Sequence, residues 1–266
     1  SIPYIDNRRK GCLLINQLSI IDDLYFNSLG LLTTSRAVDY ITKNNFNLFA
    51  IHIVLPKLTS YILTCSSRID DLPKDRKNLL LPLSKDISAE IAEKKTPQLN
   101  FICTHNSRRS HLAHIWATVM ANHLKLPVLE CYSGGTQATA MHPNAIAALT
   151  RAGFQVNIES NSAEYNPVYL VRYSNEHPPE RCFSKVYNQP PNPKDNYIAV
   201  MTCSEADDAC PIVVGASKRH AITYEDPKIS DGTPFESTTY DQRSEQIATE
   251  MLYLMSEVKG QVDLKM

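Results

Sequence analysis

The stretch NFICTHNSRRSHLAHIWA, which runs from Asn100 to Ala117, decides how the rest of this chain is interpreted. It opens on apolar residues, continues through polar and basic ones, and ends in apolar residues with the spacing of a helix face. That face is formed by Leu112, Ile115, Trp116, Val119 and Leu124. Because QLNFIC (98–103) has the composition of a buried strand, the stretch predicts a strand, a loop and a helix N-terminus.

Strands and helices continue to alternate on the carboxyl-terminal side of this stretch. VLECYSGG (128–135), NYIAVMTC (196–203) and RHAITYED (219–226) are predicted strands, and PNAIAALTRAG (143–153) is a helix that ends at its glycine. A closing amphipathic helix carries Ile247, Met251, Leu254, Met255 and Val258. Strands separated by helices predict an α/β fold, a three-layer sandwich in which a parallel sheet is flanked by helices.

Residues before this region have an irregular pattern, in which apolar bursts alternate with polar patches. Leu79, Leu83, Ile87 and Ile91 recur every four residues, which predicts a helical arm near 73–95. Proline is unfavourable inside a helix, so we expect this helix to start near Pro82 or to kink there. We therefore divide the chain into an N-terminal extension of unknown role, 1–96, and an α/β domain, 97–266.

Composition excludes several classes of partner and location. Lys and Arg together number 27 and Asp and Glu 28, so the totals give no sign of a nucleic-acid or anionic membrane surface. The longest apolar neighbourhood, NLFAIHIVLP (47–56), is shorter than the roughly 20 apolar residues of a membrane span. No signal segment opens the sequence, and its seven cysteines lack the spacing of a small secreted protein. We expect a cytoplasmic protein with reduced thiols.

The polar segment CTHNSRRS (103–110) has the residues of an oxyanion-binding loop. In α/β sheets, ligands bind at the carboxyl ends of strands, where a loop supplies backbone N–H groups and a helix N-terminus. Arg109 is the sixth residue after Cys103, the C-x5-R spacing of a loop that surrounds a tetrahedral oxyanion. Converging N–H groups and the guanidinium favour thiolate over thiol, which makes Cys103 a nucleophile. Arg109 can hold two oxygens of the anion at once, which lysine cannot do in the same geometry.

Two further residues of the loop support this interpretation. Ser110 can donate a hydrogen bond to the sulfur, and Asn106 can fix the loop through its amide. The predicted oxyanion-binding set is Thr104, His105, Asn106, Ser107, Arg108, Arg109 and Ser110. The alternative is that Cys103 is an inert core residue, because a Cys and an Arg at this spacing also occur by chance. The strand before the loop and the helix after it favour the catalytic interpretation.

These residues resemble a known family. CTHNSRRS is similar to the phosphate loop of low-molecular-weight protein tyrosine phosphatases and of the thioredoxin-coupled arsenate reductases built on the same fold. YSGGT (132–136) resembles the segment that follows the family's second strand, and HPNAIAALTRAGF (142–154) resembles the next helix. The resemblance covers about Leu99 to Val258 and implies that 97–266 is a catalytic domain.

A second cysteine pair distinguishes the two kinds of enzyme. MTCSEADDACPIV (201–213) places Cys203 and Cys210 seven residues apart and resembles the redox segment of the arsenate reductases. Two helical turns separate these thiols, which exceeds the span of a disulfide, so bonding them requires local unwinding. Two alternatives are a pair of inert core cysteines and a zinc site. The zinc site is disfavoured because no second close Cys or His pair accompanies them.

The reaction also needs an acid for the departing oxygen, and YEDPK (224–228) supplies one. Asp226, before Pro227, resembles the family's Asp-Pro loop, in which the aspartate protonates the leaving group. Glu225 is its competitor, and an Asp-Pro pair also marks ordinary turns.

The predicted catalytic residues are therefore Cys103, Arg109, Asp226, Cys203 and Cys210. Our hypothesis is an arsenate reductase that serves arsenic detoxification, with thioredoxin or a similar dithiol as partner. The alternatives are a protein tyrosine phosphatase acting on a phosphate monoester through a cysteinyl phosphate, and a non-catalytic phospho-ligand-binding protein. We expect no metal and no organic cofactor.

Three positions of the loop and of the helix after it depart from the family pattern, besides the minor change to Gly134 where alanine is common. His105 stands where the loop usually has glycine, which matters if that position needs a positive φ. Arg108 replaces a second loop cysteine and adds positive charge. His114 occupies the place of an acidic cation ligand, so a potassium site is not expected.

Overall fold

The computed structural model describes residues 54–264 of the chain, all of which lie in one compact unit. The helices are α1 (Pro56–Ser67), α2 (Lys74–Ala92), α3 (Arg109–His123), α4 (Pro143–Ala152), α5 (Ser204–Ala209) and α6 (Glu236–Asp263). The strands are β1 (Gln98–Cys103), β2 (Glu130–Gly135), β3 (Gln155–Ile158), β4 (Tyr169–Arg172), β5 (Glu180–Cys182), β6 (Tyr197–Met201) and β7 (Ala216–Ala221), and a 3-10 helix spans Pro227–Ser230.

A parallel sheet of four strands organises this unit. Its order is β2-β1-β6-β7, and all three pairings are parallel. Helices α3 and α6 pack together on one side, and the short α5 contacts β1 and β6. The predicted α/β fold, a parallel sheet flanked by helices, is confirmed.

Alternate residues of the central strands point to the two faces of the sheet. Leu99 and Phe101 of β1 enter the large core, which also contains the buried faces of α1, α2, α3, α4 and α6. Ile102, which alternates with them, enters a smaller cluster on the opposite face. Cys103 has the parity of Leu99 and Phe101, yet it belongs to this smaller cluster together with Cys203. Its place there follows from its position at the end of β1, where the loop begins, and not from alternation.

The predicted helical arm is found as α2, with different details. The helix begins at Lys74, so Pro82 lies inside it instead of near its start. Its buried apolar residues are Leu80, Leu83 and Ile87, whereas Leu79 is 38% exposed. The difference arises because a strict four-residue repeat drifts by about 40° per step around a helix. This arm shares the large core with α6.

Two other features were not predicted correctly. The last strand of the sheet spans Ala216–Ala221, whereas the sequence suggested 219–226, because the chain after Ala221 leaves as the loop that carries Asp226. A second, antiparallel sheet of order β3-β4-β5 was missed altogether. Its strands have three or four residues and expose much of their surface, so they produce little apolar alternation. Among the helices of residues 54–264, none combines the length and apolar character needed to cross a membrane.

Candidate active site

The site is built where three parallel strands end side by side. Cys103, the last residue of β1, is in register with Gly135, the last residue of β2. Ile102 is in register with Met201, the last residue of β6. The segments that follow these strands therefore start from one edge of the sheet, as the carboxyl-end rule for α/β folds predicts.

The sulfur of Cys103 is fixed by a short chain of polar contacts. Its Sγ lies 3.1 Å from Oγ of Ser110, and Nδ2 of Asn106 donates to that Oγ at 2.9 Å. The backbone N–H of Lys185 donates to Oδ1 of Asn106 at 2.9 Å. Because Ser110 accepts from Asn106, its own hydroxyl proton is available to the sulfur. The side-chain arrangement is the one that the sequence suggested for Asn106 and Ser110.

The loop needs a positive φ at Asn106 rather than at His105. Asn106 has φ of 45°, a left-handed conformation that asparagine tolerates better than most residues. His105 lies outside the positive-φ residues, so the replacement of the usual glycine places no left-handed demand on it. A neighbouring glycine is required instead. A Cβ added to Gly135 would lie 2.7 Å from the backbone nitrogen of Asn106 and 2.3 Å from the carbonyl oxygen of Gln137.

Carbonyl oxygens of the loop are hydrogen-bonded to surrounding segments. Those of Thr104 and Ser107 accept from the backbone N–H groups of Gln137 and His142, at 2.8 and 2.9 Å. The carbonyl of His105 accepts from Oγ of Ser184 at 2.9 Å. With these acceptors satisfied outside the loop, its N–H groups remain as the donors available to an anion.

Arg109 and Asp226 come together as predicted from the sequence. Nη2 of Arg109 donates to Oδ2 of Asp226 at 2.8 Å, and Nη1 donates to the carbonyl of Tyr224 at 2.9 Å. Glu205 is a carboxylate that the sequence did not single out, and its Oε2 lies 3.6 Å from Nη1 of Arg109. Glu225, the competitor of Asp226, is an exposed residue paired with Arg243. The contact of Asp226 with the buried guanidinium of Arg109 therefore favours it over Glu225 as the candidate acid.

The side chain of Arg108 has other partners. Its Nε donates to the hydroxyl of Tyr240 at 2.7 Å, and its Nη2 donates to Asp231 at 3.1 Å. Asp226 lies farther from it, at 3.8 Å. The two adjacent arginines thus have different partners, and of the two only Arg109 donates to Asp226 at hydrogen-bond distance.

The remaining predicted thiols lie in or against the small cluster that contains Cys103. Cys203 is the N-cap of α5 and Cys210 its C-cap. Cys203 is fully buried in the cluster that contains Cys103, and Cys210 packs against that cluster. Sγ of Cys203 lies 3.5 Å from Oγ1 of Thr104. Burial raises the pKa of the Cys203 thiol, although the hydroxyl of Thr104 and the charge of Arg109 act in the opposite direction.

A buried network behind the Asp-Pro loop escaped the sequence analysis. Arg76, from α2, donates to both carboxylate oxygens of Glu250 on α6, at 2.9 and 2.7 Å. The hydroxyl of Tyr224 donates to the same carboxylate at 2.9 Å. Tyr224 is therefore a buried residue that supports the loop. No sequence periodicity links α2 to this site, which explains why the contact was missed.

The fold and the site have the features of the class of protein that the sequence resembles. A strand, a C-x5-R loop, a helix and a facing aspartate are the features that the resemblance implied. Residues 98–169 match the model of the family described as low molecular weight phosphotyrosine protein phosphatase. The family resemblance is confirmed over this segment.

Two curated relatives and one solved structure are similar to parts of this chain. An arsenate reductase from Bacillus licheniformis is 29% identical over 150 residues, which is 56% of this chain and 86% of the relative. Arsenate reductase 2 from Staphylococcus haemolyticus is 29% identical over 136 residues, 51% of this chain and 80% of the relative. A solved structure of a YwlE mutant from Bacillus subtilis aligns with a TM-score of 0.42 at 15% identity, covering 62% of this chain and 99% of the other. The prediction of an enzyme is confirmed to this extent: the family and the curated relatives are enzymes.

Proposed function

We propose that this chain is an arsenate reductase in which Cys103, Cys203 and Cys210 act in turn. One observation carries the proposal: Cys103 and Cys203 belong to one small buried cluster beside the oxyanion loop, and Cys210 packs against that cluster. A phosphatase of this fold needs Cys103, but it has no use for the other two. Relatives named arsenate reductase support the same choice.

The loop would bind arsenate through the N–H groups of residues 104–110 and the guanidinium of Arg109. A tetrahedral oxyanion placed there offers oxygens to both, and the bidentate geometry of arginine fixes its orientation. The hydroxyl of Ser110, 3.1 Å from the Cys103 sulfur, stabilises the thiolate. Arsenate and phosphate have the same shape and charge, so the loop would bind either anion.

In the first chemical step the Cys103 thiolate attacks arsenic and displaces one oxygen. Asp226 donates a proton to that oxygen, which leaves as water, and a sulfur–arsenic bond is formed. In the second step the Cys203 thiolate attacks the Cys103 sulfur. The sulfur–arsenic bond breaks with its electron pair passing to arsenic, which is reduced from the pentavalent to the trivalent state and leaves as arsenite.

Completion of the cycle requires transfer of the disulfide. Cys210 attacks the Cys203 sulfur and releases Cys103 as a thiolate. The pair that has lost two electrons to arsenic is then Cys203 and Cys210, joined as a disulfide. Thioredoxin or a similar dithiol reduces this disulfide and is itself oxidised. A cytoplasmic location, where thiols are kept reduced, suits such a relay.

Disulfide transfer would unwind α5. Cys203 and Cys210 are the caps of this helix, and seven residues of helix rise by about 10 Å, whereas bonded cysteines have Cα atoms less than about 7 Å apart. The helix has only six residues, so it holds few hydrogen bonds against this change. Cys210 is already partly exposed, and Ile212 and Val214 beyond it are 81% and 66% exposed. This segment would bring the disulfide to the surface.

A second candidate function is hydrolysis of phosphate monoesters. Cys103, Arg109 and Asp226 are sufficient for it, and the matching family model describes phosphatases. Water would replace Cys203 as the second nucleophile, and it would attack phosphorus instead of sulfur.

Serine substitutions in the relay separate the two functions. In Cys203→Ser and Cys210→Ser we expect thioredoxin-coupled arsenite release to fall by about 100-fold or more, because transfer of the disulfide needs both sulfurs. Aryl-phosphate hydrolysis should stay within about threefold, since the oxyanion loop is intact. Cys65→Ser, at a buried thiol in the large core, is the matched control and should retain both activities. Unchanged arsenate turnover in either relay variant would reject the reductase, and inactivity of the wild type toward both substrates would favour a non-catalytic binding protein.

The pH dependence of the two reactions should also differ. Burial raises the pKa of Cys203, so this thiol is protonated at neutral pH and its reactive thiolate becomes more abundant as pH rises. Arsenite release in a single turnover should therefore accelerate through the alkaline range, whereas aryl-phosphate hydrolysis should lack this increase because it does not use Cys203. Parallel profiles for the two reactions would contradict the assignment of Cys203 as second nucleophile.

A further inference from the structure

Three side chains with metal-binding atoms meet at a place that the proposed reaction does not use. His111 and His114 lie on α3, shortly after the oxyanion loop, and Cys182 is the last residue of β5. One ligand atom from each lies within 4.8 Å of the others. All three residues are buried, so the cluster is an interior feature.

The histidine nitrogens in this cluster lack the partners that buried polar atoms normally have. Nε2 of His111 and both ring nitrogens of His114 have no hydrogen bond within residues 54–264. Buried polar atoms without a hydrogen-bond partner are rare and unfavourable, so these nitrogens are available as ligand atoms. Nδ1 of His111 lies 3.2 Å from Oγ of Ser133, which orients the ring and leaves Nε2 as its ligand atom.

A carboxylate completes the set. Oε2 of Glu180 lies 3.4 Å from Nε2 of His114. Glu180 and Cys182 are two residues apart on β5, so their side chains leave the strand on the same side. Two imidazoles, one sulfur and one carboxylate therefore converge from a helix and a strand.

We propose that His111, His114, Cys182 and Glu180 bind a zinc ion. Imidazole and thiolate are typical zinc ligands, and four protein ligands in a tetrahedron form a closed structural site. Bond lengths of roughly 2.0–2.3 Å place such ligand atoms about 3.3–3.6 Å apart. For His111, His114 and Cys182, the observed limit of 4.8 Å means that each side chain moves by about an ångström or less when the ion binds. Glu180 lies outside that group of three and would turn from His114 toward the ion.

The charges around the cluster favour a divalent ion. Cys182 is fully buried, and a bound metal would displace the proton of its thiol. One thiolate and one carboxylate then cancel the two positive charges of zinc, which leaves a neutral buried site. The positively charged group near the cluster is Lys185, which acts electrostatically on both His111 and Cys182.

The site would join parts of the fold that are distant in sequence. It links α3, which begins with Arg109, to β5 of the antiparallel sheet, and His111 contacts Ser133 on β2. Zinc bound here would hold the base of the oxyanion loop without contacting the substrate. The histidines alone gave no indication of this, because Cys182 and Glu180 are far from them in the sequence.

Metal titration of the reduced, chelator-treated chain tests this site. With Co²⁺ as probe, we expect one ion per chain, a thiolate-to-cobalt charge-transfer band, displacement of that band by Zn²⁺, and a rise in the unfolding temperature with Zn²⁺. Cys182→Ser and His114→Gln should each weaken Zn²⁺ binding by about tenfold or more and remove the temperature shift. Cys65→Ser, a buried thiol elsewhere in the core, should behave like the wild type.

Two controls keep the test decisive. Circular dichroism of each metal-free variant identifies failure to fold, and His114→Gln serves if Cys182→Ser does not fold. Cys203→Ser should keep the charge-transfer band, because its thiol belongs to the relay. Absence of the band in the wild type, its loss in Cys203→Ser, or wild-type Zn²⁺ affinity in a folded Cys182→Ser or His114→Gln variant would overturn the proposal.

Discussion

Replacement of Cys103 by serine is expected to abolish arsenate reduction and phosphate-ester hydrolysis together, each by about 10⁴-fold or more. A serine hydroxyl at this position is a far weaker nucleophile than a thiolate, and it cannot form the disulfide that releases arsenite. Steady-state rates with arsenate plus thioredoxin, and with an aryl phosphate, measure the two losses. This differs from the relay variants, in which only arsenate reduction should disappear.

Anion binding provides the control for this substitution. The backbone N–H groups and Arg109 remain in Cys103→Ser, so phosphate or arsenate should still bind with an affinity near that of the wild type, as measured by calorimetry. Cys65→Ser should retain both activities. A Cys103→Ser variant that keeps a tenth of either activity while folded would show that another group is the nucleophile.

Substitution of the two loop arginines by lysine gives the second large effect, and the pair forms its own control. Arg109→Lys should lower kcat/KM for both substrates by about 10²–10³-fold, because a lysine cannot hold two oxygens and also support the loop at Tyr224 and Asp226. Arg108→Lys should lower it by less than about tenfold, since that guanidinium is bound by Tyr240 and Asp231.

Values of kcat/KM for both substrates, measured together with an unfolding curve for each variant, distinguish a loss of catalysis from a loss of stability. Arg109→Lys should remain folded, because lysine keeps a positive charge beside Asp226. Equal losses of kcat/KM in the two variants would mean that the oxyanion contacts both arginines, as the sequence analysis assumed for the whole loop.

Within the predicted oxyanion loop, short sequence separation made the arrangement of the side chains predictable. Cys103, Asn106, Arg109 and Ser110 lie within one strand–loop–helix unit, so their spacing alone largely determines their geometry. The closing helix was also predicted well, since Ile247, Met251, Leu254, Met255 and Val258 are all buried. Strong apolar periodicity, and reactive side chains that are close together in the chain, can be recognised from the sequence alone.

The parts that were missed depend on contacts between distant segments. Arg76 reaches Glu250, and Glu205 approaches Arg109, through packing that no local pattern encodes. The strands of the antiparallel sheet are short and partly exposed, so their pairing follows from tertiary contacts. The helix arm was placed correctly in outline, but its buried face was misassigned by a repeat of four instead of 3.6 residues.

The proposed mechanism depends most on the order in which the three thiols react. Peptide mapping after one turnover measures that order directly. Fully reduced protein is mixed with arsenate in the absence of any dithiol, quenched by alkylation and digested for mass spectrometry. We predict one arsenite per chain, a Cys203–Cys210 disulfide in the wild type and a Cys103–Cys203 disulfide in Cys210→Ser. Release of no arsenite, a wild-type disulfide other than Cys203–Cys210, or a disulfide other than Cys103–Cys203 in Cys210→Ser would contradict this order.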